Sequence, residues 1–219
     1  MTSRPAALTY QAFLFDMDGT LITSTAAAER VWTRWAKRHG LHVAALLSVM
    51  HGVRAVDTIR RQNLPDIDLD AEVAWVERGE IEDVEGVAPI AGAVDFLTRL
   101  PPDRWAVVTS ATVPLARARL TAAGVTPPAV LITAEDVERG KPDPAGYLKA
   151  AATLGFDIAD CLVFEDADAG VKAGEAAGAD VVVVTAAWTH PLETDRPKLA
   201  DYADVTLEVG ADGALTVNI

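Results

Sequence analysis

The stretch Phe13-Leu14-Phe15-Asp16-Met17-Asp18-Gly19-Thr20 decides how this chain is read. The apolar, aromatic-rich run from Ala12 to Phe15 predicts a short buried strand. It breaks into two acids and then into Gly-Thr, a loop signal. Successive side chains of a strand point to opposite faces, so Asp16 and Asp18 are expected to share one. Carboxylates at the carboxyl end of a buried strand sit where open α/β sheets bind their ligands. Buried carboxylates are costly unless they are paired or bind a metal.

Downstream, Thr23-Ser24-Thr25 offers capping residues for a helix over 26–38, in which Ala28, Val31, Trp32 and Trp35 fall at i, i+3, i+4, i+7 spacing. Further helices are expected over 43–50, 54–61 and 69–85, so residues 22–85 read as an all-helical block without a strand. Trp32, Trp35 and Trp75 read as the core of that block, and His39 and His42 as surface residues. From Gly86 the pattern changes. Apolar strands over 105–108, 130–132, 162–164 and 181–184 alternate with helices over 93–100, 113–123, 145–154 and 169–177, several closed by glycine. That alternation predicts an α/β fold, a Rossmann-like doubly wound parallel sheet. Residues 1–21 and 86–219 would form the core, with 22–85 inserted between its first and second strands. Val205-Thr206-Leu207 and Leu215-Thr216-Val217 flank Asp212-Gly213, a hairpin signal.

Composition narrows the function. With 50% hydrophobic residues in 219, a sizeable core is available. A net charge of −13 argues against a nucleic-acid or anionic-membrane surface, but a bound cation or a local Lys can still make an anion pocket. The single cysteine, Cys161, excludes an internal disulfide and lies in an apolar run, as a buried structural thiol does. No signal-peptide core and no membrane-spanning run is present, so a cytoplasmic chain is expected; nothing in the sequence demands an oligomer, and a monomer is expected.

The polar clusters all fall at carboxyl ends of predicted core strands: Asp16 and Asp18, Thr109 and Ser110, Glu165 and Asp166. Lys141 precedes a helix on the same rim. A parallel sheet gathers these ends at one edge. Asp16, Glu165 and Asp166 offer oxygen ligands suited to Mg²⁺, and the Thr109 hydroxyl, backbone N–H groups and the Lys141 ammonium suit a phosphate group. One carboxylate is then placed to attack phosphorus and another to move protons.

Four stretches, Asp16-Met17-Asp18-Gly19-Thr20, Val107-Val108-Thr109-Ser110, Gly140-Lys141-Pro142-Asp143-Pro144 and Phe164-Glu165-Asp166-Ala167-Asp168-Ala169-Gly170, resemble the ordered motifs of the haloacid dehalogenase (HAD) superfamily. The helical insertion resembles its small cap, and within the superfamily the chain is most similar to sugar-phosphate and polyol-phosphate phosphatases, including the 2-deoxyglucose-6-phosphate and glycerol-phosphate phosphatase group. The resemblance implies a Mg²⁺-dependent phosphomonoester hydrolase acting on a small phosphate ester through an aspartyl-phosphate. It makes Asp16 the nucleophile, Asp18 the general acid and then base, and Thr109, Lys141 and Ser110 the phosphate ligands. It implies Mg²⁺ on Asp16, the Asp18 carbonyl and Asp166, with Glu165 direct or through water. Ala167, where Ser is frequent, implies a lost hydroxyl near the metal. It further points to the loop His51-Gly52-Val53-Arg54 as the one over the substrate, with Arg54 for hydroxyls or a second anionic group and His51 for a hydroxyl. Trp188 and His190 follow the last core strand at the same rim.

The nearest rival is a phosphomutase of the β-phosphoglucomutase type, which uses a cap-proximal His where this chain has Ala28. A dehalogenase or phosphonatase would leave Asp18 without purpose and would need a cap lysine other than Lys37. A non-catalytic phosphate-binding protein of this fold is a reading of another class; it has no need of both aspartates, the Lys and the Glu-Asp pair.

Overall fold

The computed structural model describes residues 8–187 and 192–218. Strand β1 (Leu8–Tyr10) leads across one residue into β2 (Ala12–Phe15), and β3 (Ile22–Thr23) follows the Asp-Gly-Thr turn. Four helices come next: α1 (Thr25–Arg38), α2 (Val43–Met50), α3 (Ala55–Arg61) and α4 (Leu69–Glu82). Strand β4 (Ala88–Pro89) returns the chain to a series that alternates: α5 (Ala93–Thr98), β5 (Trp105–Val108), α6 (Val113–Ala122), β6 (Val130–Ile132), α7 (Ala145–Leu154), β7 (Cys161–Glu165), α8 (Asp168–Ala177) and β8 (Asp180–Val184). Strands β9 (Lys198–Leu199), β10 (Thr206–Val209) and β11 (Leu215–Asn218) close it.

The main sheet is parallel, six-stranded and ordered β6-β5-β2-β7-β8-β9, so β2 lies inside it. Phe13 and Phe15 enter the apolar cluster on one face, and Ala12 and Leu14 the cluster on the other. Two-sided burial is why this strand is continuously apolar. Phe15 stacks on Phe164 with ring centroids 4.7 Å apart. In register, Phe15 is opposite Val107 of β5 and Phe164 of β7. That pairing leaves Asp16 level with Val108 and Glu165 at the carboxyl edge. The expected hairpin forms from β10 and β11, and β11 also pairs with β1 to make a separate three-stranded antiparallel sheet.

Three local expectations need correction. Residues 22–85 do contain strand: β3 pairs antiparallel with β4 where the chain leaves and re-enters the core, satisfying backbone groups at that double crossing. Helix α4 stops at Glu82 instead of continuing to 85, because Asp83 turns away to take both Nε and Nη2 of Arg30, at 3.1 and 2.5 Å. Ser24 stands at the N-cap of α1 but makes no side-chain cap bond; its hydroxyl is used elsewhere.

The four helices bury their own apolar cluster around Val31, Trp32, Trp35, Leu46, Ile59 and Val76. His39 is not a surface residue. Its ring lies 4.8 Å from that of Trp35, and its Nε2 is 3.0 Å from Glu72 Oε2. Glu72 also accepts hydrogen bonds from Trp35 Nε1 (2.8 Å) and Arg38 Nη2 (2.9 Å). Burial raises this carboxyl's pKa, but the Trp35 and His39 hydrogen bonds and nearby positive charge outweigh it and hold the group below its ordinary 4.5. A carboxylate with a depressed native pKa stabilises the fold above its unfolded-state value and loses that contribution as pH falls through the native one. Glu72→Ala, which leaves the Trp35 N–H buried without a partner, is expected to cost about 2 kcal/mol at neutral pH. In urea melts the gap between this variant and the parent should shrink as pH drops below 4.5.

Candidate active site

The parallel sheet brings the four sequence clusters to one rim. Asp16, just beyond β2, is buried, and its Oδ1 accepts a 2.5 Å hydrogen bond from Lys141 Nζ. The same ammonium donates to Glu165 Oε1 at 2.6 Å and to the Val108 carbonyl at 3.0 Å, over the Tyr147 ring. Burial would lower the lysine's pKa, but Asp16 and Glu165 more than reverse that, keeping it charged. The Lys141–Pro142 peptide is cis.

Glu165 ends β7 fully buried, with both oxygens taken: Oε1 by Lys141 and the Tyr147 hydroxyl (3.0 Å), Oε2 by the N–H groups of Asp166 and Ala167 (2.9 and 3.1 Å). Sequence reading missed Tyr147, because an aromatic inside an apolar helix looks like core; it is core by its ring and part of the site by its hydroxyl. Ligand oxygens of Asp16, Glu165 and Asp166 lie within 4.8 Å of one another. Burial above all, then mutual repulsion, raises the Asp166 carboxyl well above its usual range and Asp16 to about 7, despite Lys141. Three carboxylates facing one ammonium leave a surplus of negative charge. Their all-oxygen donor set fits a hard divalent cation such as Mg²⁺. Glycine is needed twice here. Gly19 has φ +87, and a Cβ there would run into the Asp166 carboxylate. A Cβ on Gly170 of α8 would run into Glu165.

Asp16 and Asp18 do line the same cavity, of about 220 Å³ between the helices and the sheet edge. They do so by way of a turn, since β2 ends at Phe15, and fully buried Met17 anchors the turn between them. Asp18 Oδ1 accepts from the Ser24 hydroxyl at 2.5 Å and pairs with Arg119 Nη1 at 3.0 Å. Thr109 is buried at the end of β5 and lines the cavity; its Oγ1 accepts from the Ala111 N–H at 3.1 Å. Ser110 also lines it, but its hydroxyl donates to the Gly52 carbonyl of the helical block at 2.9 Å.

The loop from His51 to Arg54 is docked on the core. Gly52 (φ +71) sits so close to Ala167 that a Cβ there would lie 2.8 Å from that of Ala167. A larger residue at 167 would therefore press on this loop. Arg54 lines the cavity, but Nε is held by Asp57 at 2.7 Å and Nη1 by the Val137 and Glu138 carbonyls at 3.2 and 3.1 Å. His51 lines the cavity as well, with Nε2 3.5 Å from Glu29. Trp188 and His190 lie outside the described residues.

A family description, "haloacid dehalogenase-like hydrolase", matches residues 10–178. The chain belongs to the haloacid dehalogenase-like hydrolases. Hexitol phosphatase A of Escherichia coli is 42% identical to this HAD-like chain over 90% of it and 92% of the relative. 2-Deoxyglucose-6-phosphate phosphatase 1 of Saccharomyces cerevisiae is 34% identical, over 86% and 85%. A β-phosphoglucomutase of Clostridium difficile superposes with a TM-score of 0.75 over 89% of this chain and 92% of that one, at 15% identity, a likeness of fold alone.

Because Gly170 leaves the space that Glu165 fills, Gly170→Ala is expected to displace Glu165 and through it Lys141. We expect a chain that keeps its helical circular dichroism and loses at least about tenfold in turnover, the scale expected when a charged group is shifted by about an ångström.

Proposed function

We propose that this chain is a Mg²⁺-dependent phosphatase that hydrolyses a small sugar or polyol phosphate at the rim described above. The observation that carries this reading is the Asp16–Lys141–Glu165–Asp166 cluster, a charge pattern that suits a metal and a phosphoryl group together. Relatives named as hexitol and 2-deoxyglucose-6-phosphate phosphatases, 42% and 34% identical, supply the ester class.

Asp16 attacks phosphorus while the bond to the ester oxygen breaks. Asp18 gives a proton to the departing alcohol, then takes one from the water that hydrolyses the aspartyl-phosphate. Lys141, Thr109 and the N–H of Ser110 hold phosphoryl oxygens. Asp16, Asp166 and the Asp18 carbonyl are the residues that would hold Mg²⁺, with Glu165 beside them orienting Lys141. When bound, Mg²⁺ offsets the repulsion between the attacking carboxylate and the phosphate. Residues 22–85 act as the cap that excludes water during the chemistry. Asp16→Asn is expected to abolish phosphate release while leaving circular dichroism unchanged, and EDTA should silence the parent until Mg²⁺ is restored; release from Asp16→Asn would overturn the nucleophile assignment.

The cavity wall away from the phosphate ligands favours an uncharged, hydroxyl-rich substrate end. It carries Glu77, Glu80 and Glu135. Burial, and then the charge of Glu135, pushes the Glu77 carboxyl above its ordinary value. The cations on this wall, Arg54 and Arg119, already hold carboxylates or carbonyls. A mutase must hold an intermediate with two phosphates, and Ala28 of α1 brings no imidazole to the cavity. Hexitol monophosphates are expected to exceed hexose bisphosphates in kcat/KM by more than about tenfold, or about 1.4 kcal/mol. Comparable values for both, or isomerisation of β-glucose 1-phosphate, would favour the mutase.

A further inference from the structure

Arg119 belongs to no motif in the sequence, yet it is the buried cation of the cavity wall away from Lys141. It sits on α6 at 5% exposure. Its Nη1 is 3.0 Å from Asp18 Oδ1, and its Nη2 is 3.0 Å from Oε1 of Glu80, itself buried on α4. The guanidinium Nε is buried with no hydrogen-bond partner. Burying an arginine with the Glu80 carboxylate, beside a half-buried Asp18, costs desolvation energy, and apolar residues of the same volume often do better for stability. A mere tie between α4 and α6 is better made with apolar side chains. What the charged arrangement adds is control of Asp18.

We infer that Arg119, fixed at its far end by Glu80, is a positioning residue that orients Asp18 for proton transfer while α4 is docked on the core. The inference rests on the phosphatase reading above. The ion pair with Arg119 Nη1 and the hydrogen bond from the Ser24 hydroxyl converge on Oδ1 of Asp18. Oδ2 has no hydrogen-bond partner among the described residues, and Asp18 lines the cavity. The carboxylate therefore presents one oxygen to the wall and the other to the substrate. Asp18 also bridges to Ile22, the first residue of the small β3–β4 sheet at the crossing between cap and core. Glu80 is the part of this arrangement that comes from the cap. When α4 is docked, Glu80 takes Nη2 and the planar fork can present only Nη1 to Asp18. When α4 lifts, the fork loses that second fixed point and Asp18 loses its defined direction.

The test is a double-mutant cycle read on two leaving groups. Arg119→Lys keeps the charge but lacks the fork. On a hexitol phosphate, whose alcohol needs a proton to leave, it should lower kcat by about 30-fold or more with KM within about twofold, inside the range expected for proton transfer. On p-nitrophenyl phosphate, whose leaving group needs none, the single-turnover release of p-nitrophenolate, which precedes the hydrolysis step that also uses Asp18, should slow by less than about threefold. In an Asp18→Asn background Arg119→Lys should cost less than about twofold further, since residues acting as one unit are not additive. Glu80→Gln should show the same pattern in weaker form, and carries the test if Arg119→Lys does not fold. A crystal structure of either variant should show the Asp18 carboxylate turned from its present direction. Equal losses on both esters, additivity with Asp18→Asn, or an unmoved Asp18 would overturn the positioning role while leaving the phosphatase reading intact. A parent chain that releases phosphate from no ester would overturn that reading, and the positioning role with it.

Discussion

The structure depends on one buried ammonium. Lys141 is held between Asp16 and Glu165 at 2.5 and 2.6 Å, with the Val108 carbonyl as a third acceptor. Those three acceptors follow or end β2, β5 and β7, neighbouring strands of the sheet. Their alignment requires the register that sets Phe15 against both Val107 and Phe164. A slip of one residue would send every side chain of a strand to the opposite face. It would also separate the charges, and a buried charge without a partner is among the most destabilising features a fold can contain. The aromatic packing of Phe13, Phe15 and Phe164 and the charge cluster thus demand the same register for independent reasons.

The surrounding elements make room for that cluster. Gly19 and Gly170 leave the volumes into which Asp166 and Glu165 reach. Tyr147 packs its ring in the core and spends its hydroxyl on Glu165. Cys161, at the start of the same strand as Glu165, is remote from this chemistry: burial pushes its thiol up to about 12, so it stays a protonated core residue.

The helices above are joined to the core by contacts of different kinds. Gly52 accepts from Ser110, Arg54 reaches the Val137 and Glu138 carbonyls, and Glu80 pairs with Arg119. Each places a polar group of the insertion against a loop or helix that borders the cavity. The same contacts that seat the helices use up the cations that would otherwise face a substrate. The space left beside Asp16, Asp166 and Thr109 is therefore acidic at Glu77 and Glu135 and apolar at Trp32 and Val73.

From the sequence alone came the α/β class, the helical insertion, the terminal hairpin and the residues of the Asp16–Lys141–Glu165–Asp166 cluster. These were legible because they rest on local rules: apolar runs of strand length, 3.6-residue periodicity, glycine stops, and acids placed where apolar strands end. The tertiary structure alone decided which partner each polar side chain would take. Ser24 looked like a helix cap and binds Asp18; His39 looked like surface and is held by Glu72; Arg54 looked free for substrate and is tied to Asp57 and two carbonyls. Arg119 and Tyr147 carried no sequence signal, because each lies in an ordinary helix more than 15 residues from its partner. A hydrogen bond or ion pair depends on distances of a few tenths of an ångström between chain segments, and only the packed chain sets those distances.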